Sequence, residues 1–149
     1  MSNITLQQIE AAHKSVAEMI KVFKAQAPTT YGIPSASIEL QPGERYAGLL
    51  LDEQGEPSAH LILIAGEAED VTWQAALDWA AEIGGELPTR QEQSLLFANL
   101  KSEFRPRAYW SNTQSSGYDA WFQHFDYGSQ YYDDKSAELR ARAVRRLSV

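Results

Sequence analysis

Near the start of the chain, Leu6, Ile9, Val16, Ile20 and Phe23, with His13 in phase, recur in alternating steps of three and four. That spacing aligns them on one stripe and predicts an amphipathic helix. Thr5 and Gln8 fit a capping box, Ile4 and Ile9 a hydrophobic staple, and Pro28 stops the helix. Ala12 and Met19 widen the stripe, which can pack on the chain's own domain or against copies of itself. His13 reads as a partly buried spacer on that face.

Pro28, Pro34 and Pro42 then fall among Ser and Thr residues, a composition that predicts an extended linker over 28–43. Two β-type runs follow, Arg45 to Leu51 and Ala59 to Ala65, around a loop containing Gly55 and Pro57, which predicts a hairpin. A second helix is expected from Thr72, burying Trp73, Ala76, Leu77 and Ala80 and stopping at Gly84 and Gly85. A third starts at Thr89, with Glu92 placed for a capping box, and presents Leu95, Leu96 and Leu100. From Tyr109 onward, short aromatic and polar runs between turn residues predict several short strands. Leu139 to Leu147 reads as a closing strand with one wet face. The order of elements predicts an α+β fold without internal repeats. Its expected parts are a helix over 1–27, the linker over 28–43 and one domain over 44–149.

The net charge of −7 is unevenly distributed. Residues Glu39 to Glu86 hold eleven acids against Arg45 alone, while Arg140, Arg142, Arg145 and Arg146 crowd the far end. A phosphate backbone needs a basic surface, so direct nucleic-acid binding is not expected. The acidic block reads as a solvated surface, or as a surface that docks a cationic partner or mimics DNA. There is no cysteine, hence no disulfide, thiolate nucleophile or cysteine-held metal, which fits a reducing compartment. The longest apolar runs, Gly48 to Leu51 and Leu61 to Gly66, are too short for a membrane span or signal segment. The expectation is a protein inside a cell, with no membrane partner.

Signatures of hydrolase elbows, phosphate loops, zinc helices and dinucleotide turns are all missing. His13, His60 and His124 fall on three different predicted elements without metal-ligand spacing. Asp126, Asp133 and Asp134 lie near His124 in sequence, and such a cluster offers acid–base work or weak calcium binding as an alternative. No cofactor and no catalytic residue is expected.

The segment from Tyr109 to Asp134 stands apart. It contains Tyr109, Tyr118, Tyr127, Tyr131 and Tyr132, two tryptophans and two phenylalanines, but no Leu, Ile or Val. Binding loops use this mixture because Tyr offers a large contact at low entropic cost, while Ser, Gly and Asn adapt their hydrogen bonds. Trp110, Ala120, Trp121 and Phe125 are expected in the core and the tyrosines on the surface. The expected partner-contacting set is Asn112, Gln114, Tyr118, His124, Tyr127, Gln130, Tyr131 and Tyr132.

Several motifs also resemble a known family. Trp73-Gln-Ala-Ala-Leu-Asp-Trp-Ala80, Gly85-Glu-Leu-Pro-Thr-Arg90 with Glu92, Tyr109-Trp-Ser-Asn112, Ala120-Trp121, Phe125, Gly128, Lys135 and Arg142-Ala-Val-Arg145 resemble the bacterial and phage C-type-lectin-like domains. These include a prophage-associated domain of unknown function. Formylglycine-generating enzymes and retroelement-diversified phage receptor-binding proteins are related to them. The resemblance covers residues 44 to 147 and implies a C-type-lectin-like fold with an added N-terminal helix. It also implies packing roles for Trp110 and Trp121, and a ligand-facing region over Asn112 to Asp134. The chain departs from the pattern in places. Without cysteine, formylglycine-generating chemistry is excluded. The Glu-Pro-Asn or Gln-Pro-Asp triplet of calcium-dependent sugar lectins is missing from this region, Trp110-Ser-Asn112 matches their Trp-Asn-Asp only in part, and Glu86 stands where a basic residue is common.

The resulting expectation is a non-catalytic protein-binding module, encoded by a phage or prophage, that engages a protein partner through its tyrosine-rich face. Its N-terminal helix would support a homo-oligomer. The expected location is the bacterial cytoplasm, with virion association as the other possibility. The alternatives are an acidic inhibitor of a cationic host site and a carbohydrate-binding lectin, with or without calcium.

Overall fold

The computed structural model describes residues 3–149. The chain divides into two compact units, Met1–Ile33 and Pro34–Val149. In the first, helix α1 spans Leu6–Gln26. The Thr5 hydroxyl accepts from the Gln8 N–H at 3.2 Å, and the Gln8 amide oxygen accepts from the Thr5 N–H at 2.9 Å, closing the predicted capping box. Ala27 turns to extended backbone, as the residue before a proline must. No residue of α1 is buried.

The second unit is mixed α+β. Its elements are β1 (Arg45–Leu51), β2 (Pro57–Leu63), β3 (Ala68–Val71), α2 (Trp73–Glu82), α3 (Arg90–Leu100), β4 (Ala108–Gln114), β5 (Asp119–His124), β6 (Gln130–Asp134), β7 (Leu139–Ala141) and β8 (Val144–Ser148). A three-stranded sheet runs β1-β2-β8, and a five-stranded sheet runs β3-β7-β4-β5-β6. The β1–β2 hairpin lies close to the predicted runs, and Asp52 organises its turn by accepting from the N–H groups of Gln54 and Glu56 at 2.9 and 3.0 Å. Helix α2 is capped by Thr72 and ends at Gly84, whose φ of +86° suits glycine. Thr89 and Glu92 form the second capping box, at the start of α3.

Two apolar clusters hold this unit together. One joins Leu61 and Leu63 of β2, Leu96 and Leu100 of α3, Phe104, Tyr109, Phe125 and Val144. There, Phe104 stacks on Phe125 with centroids 3.9 Å apart, and Tyr109 meets both rings edge-on. The other sets Trp73 and Trp110 among Ala68, Ala76, Ala80, Ala120, Ala141 and Ala143. The Trp73 indole donates to the Ser111 carbonyl at 2.8 Å and the Trp110 indole to the Val71 carbonyl at 2.9 Å, so neither buried N–H is stranded.

Three expectations change, and one strand is added. The closing segment is two strands in different sheets, because Ala141, Arg142, Ala143 and Val144 are all buried and interrupt the wet–dry alternation. Arg142 sits at this crossing and donates to the carbonyls of Glu103 at 2.7 Å and Ile64 at 3.0 Å; burial pushes its guanidinium below its ordinary value. Strand β3 had no sequence signal, since its Ala-Glu-Asp-Val run carries little apolar pattern. Tyr109 is buried instead of joining the surface tyrosines. Trp121 is only half-buried instead of belonging to the core.

Candidate functional site

β6 is the outer strand of the five-stranded sheet, so the β5–β6 hairpin borders solvent. The register sets Trp121 opposite Tyr132 and Gln123 opposite Gln130, which puts these pairs on one face of the hairpin. On that face Trp121 meets Tyr132 edge-on, with centroids 5.3 Å apart, and Tyr131, which the register sets opposite Phe122, stacks on Tyr132 at 4.7 Å and 12°. Arg90, from the first turn of α3, lies over the Trp121 ring at 3.6 Å. Arg90, Trp121, Tyr132 and Tyr131 therefore form one continuous array of stacked groups. Such contacts rigidify side chains before any ligand arrives.

Gln130 fixes this array to α3. Its amide oxygen accepts from Arg90 Nε at 3.1 Å, while its nitrogen donates to the Arg90 carbonyl at 2.7 Å and to Gln123 Oε1 at 3.0 Å. With its amide so engaged, Gln130 works as a positioning residue for the aromatic face.

Tyr118 and Tyr127 stand at the two ends of the hairpin. They are 80% and 91% exposed, against 60% for Tyr131 and 39% for Tyr132. At about 3.4 Å per residue, the length of β5 separates them by roughly 17 Å. Gly128 shapes the turn that presents Tyr127: its φ is +85°, and a Cβ there would fall 2.7 Å from the Phe97 ring.

The other expected residues are more constrained. Gln114 accepts from Lys135 Nζ at 2.6 Å, and the Asn112 amide oxygen accepts from the Thr113 hydroxyl at 3.0 Å. His124 Nδ1 lies 2.7 Å from Asp126 Oδ1, on the wall of a cleft of about 290 Å³ that Asp70, Arg107, Glu138 and Arg140 also line. The structure thus brings Tyr131, Tyr132 and Gln130 together, leaves Tyr118 and Tyr127 at the hairpin ends, and sets His124 beside a separate polar cleft. Arg90 was not anticipated. Its contacts with Trp121 and Gln130 across the fold reveal it, and nothing local in the sequence signals that pairing.

The hairpin is acidic. Asp119, Asp126, Asp133 and Asp134 fall between Ala108 and Asp134, a span without Lys or Arg. The Tyr127 N–H and the nearby His124 hold the Asp126 carboxyl below its usual range, and Ser136 does the same for Asp134. The neighbouring Tyr131 phenol raises that of Tyr132. Among the described residues, no group of three His, Cys, Asp or Glu side chains gathers to hold a metal ion. His60 is buried in β2, with Nδ1 2.8 Å from the Tyr46 hydroxyl.

Several acids of the 39–86 block meet the arginine-rich end. Arg140 bonds Glu67 and Glu69 at 2.7 and 3.1 Å, Arg145 bonds Glu44 at 2.8 Å, and Arg146 bonds Glu86 at 2.6 Å. Tyr109 Oη donates to Glu67 at 2.5 Å, and burial followed by this bond pushes its hydroxyl up to about 12.

Glu44 supplies a pH test. Its hydrogen bonds with Arg145 hold its carboxyl below the usual range, so its stabilisation is present at neutral pH and is lost as pH falls through the folded-state value. Urea midpoints measured between pH 7 and pH 3 are expected to fall less steeply in Glu44→Gln than in the parent. Equal slopes would remove Glu44 from the acid response.

No family model matches the chain, and no curated protein matches it. Among the described residues, no helix is long and apolar enough to cross a membrane.

Proposed function

We propose that the chain is a non-catalytic, C-type-lectin-like binding module that engages a protein partner through the aromatic edge hairpin. The observation that carries this reading is the array of Arg90, Trp121, Tyr132 and Tyr131, flanked by two tyrosines that nothing in their own unit covers. A solvent-facing aromatic surface held by stacking and by a fully engaged glutamine has the make-up of an interface hot spot, where aromatic anchors dominate the energy. The motif resemblance of residues 44–147 supports the lectin-like fold and an origin in a phage or prophage, acting in the bacterial cytoplasm or on the virion.

The side chains carry recognition, and pairing with an added strand does not. Asp133 Oδ1 accepts from the Asp134 N–H at 2.7 Å, so one backbone donor near the end of β6 is already occupied. A short strand ending in acids resists edge-to-edge addition. The four aspartates favour a cationic partner and make association fall with salt.

Replacing Tyr127 and Tyr131 together with Ala is expected to weaken capture of the partner about a hundredfold or more, as loss of two hot-spot side chains does. The melting temperature should fall by only a few degrees, since Tyr127 is almost fully exposed and the stack of Tyr131 on Tyr132 contributes about 0.5 to 1.5 kcal/mol. The check is capture from host lysate, identification of the bound protein by mass spectrometry and titration calorimetry with the purified partner. Unchanged affinity in the double variant would refute the assignment of the face.

A further inference from the structure

The helix α1 presents a problem that its own unit does not solve. It runs for 21 residues with no buried residue. Most helical stability in proteins comes from packing of an apolar face and little of it from propensity. This helix also contains Val16, Ile20, Val22 and Phe23, which favour helix weakly. Yet it exposes Leu6 at 70%, Ile9 at 56%, Val16 at 48%, Ile20 at 49% and Phe23 at 70%.

The spacing of these residues indicates what covers them. From Leu6 to Phe23 the steps are three, four, three, four and three, so Leu6, His13 and Ile20 hold one heptad position and Ile9, Val16 and Phe23 the other. A two-in-seven repeat is the geometry of a coiled-coil seam, and Ala12 and Met19 fall at the position that flanks it. We infer that α1 packs along this seam against α1 of further copies of the same chain, assembling a homo-oligomer.

Area and charge agree with that occupant. The exposed apolar side chains of the seam, with Met19 beside it, offer at most roughly 700 Å² per chain, within the range each partner gives to a standard interface. The remaining faces carry Glu10 and Glu18 against Lys14, Lys21 and Lys24. This near-neutral balance differs from the Lys- and Arg-rich polar face of helices that lie on anionic membranes. His13 sits in the middle of the seam, where a polar side chain weakens the assembly but fixes register and copy number. The assembly would also present several tyrosine arrays on one particle and raise avidity for a multivalent partner.

The test is the mass of the full chain in solution, by multi-angle light scattering and sedimentation at 10 to 100 μM. The expected result is an integer multiple of 16.7 kDa. Ile9→Glu with Ile20→Glu should return the chain to a single 16.7 kDa species, while Ala11→Glu, outside the seam, should leave the assembly intact. All four tryptophans lie beyond residue 34, so an unchanged near-ultraviolet spectrum shows that the second unit of each variant is folded. His13→Ile should tighten association about tenfold or more. A parent chain that stays monomeric at 100 μM overturns the inference, whether or not it binds vesicles of anionic lipid. So does an assembly that survives the double glutamate variant.

Discussion

Trp110→Ala is expected to destabilise the second unit by about 4 kcal/mol, near the upper end for a truncated core aromatic. The reason lies in the neighbours. Trp110 is fully buried among Ala68, Ala76, Ala80, Ala120, Ala141 and Ala143. Alanines have no rotamers with which to fill a void, so the collapse falls to the larger members of the cluster, such as Trp73 and Leu87, and much of the cavity term is felt. The Val71 carbonyl, which accepts from the indole N–H, also loses its partner. For a domain of this size the shift corresponds to roughly 15 °C in melting temperature. Trp121→Ala, at a half-exposed position beneath Arg90, should cost far less stability while weakening partner binding. Thermal and urea melts of the two variants give the comparison; equal losses would contradict the assignment of Trp110 to the core and Trp121 to the binding face.

Arg146→Met is expected to be the second most damaging change, at about 3 kcal/mol or more. Arg146 grips Glu92 with two nitrogens, one bond at 2.7 Å, and reaches Glu86 with a third. These bonds push its guanidinium above its ordinary value. The two partners are not equivalent. The Glu92 side chain is 3% exposed and that of Arg146 28%. Removing the arginine leaves the buried Glu92 carboxylate without a countercharge, held only by the Thr89 N–H at 2.8 Å, whereas in Glu92→Gln the arginine keeps Glu86 and can turn toward water. Arg146→Met should therefore show the larger drop in urea midpoint. The double change Glu92→Leu with Arg146→Met should recover part of it, because removing both charges leaves neither unpaired. A double variant as unstable as the sum of its parts would show that the pair contributes nothing beyond local packing.

Features written into short stretches were readable from the sequence. Both capping boxes, the β1–β2 hairpin, the buried face of α2 and the exposure of Tyr118, Tyr127, Tyr131 and Tyr132 depend on residues within a few positions of one another. What went unread depends on distant partners. Tyr109 resembles the other tyrosines in its surroundings, yet Glu67 and the Phe104–Phe125 stack draw it inside. Trp121 has the composition of a core residue, but Arg90 supplies its cover from another element. The arginine-rich end looked like a wet strand because its acidic partners lie far upstream, at Glu44, Glu67 and Glu92. In the candidate site, composition identified the region and the tyrosines. The geometry separated Gln130 as a fastener, set His124 apart and added Arg90.

The placement of β7 and β8 has a kinetic consequence. β7 lies between β3 and β4, and β8 closes the other sheet against β2. A ten-residue stretch thus completes both sheets through pairings whose partners lie far back along the chain. Such contacts demand large loop closures before they return any free energy, which slows the search for the native state. Both sheets wait on the last strands of the chain, so this unit should fold slowly.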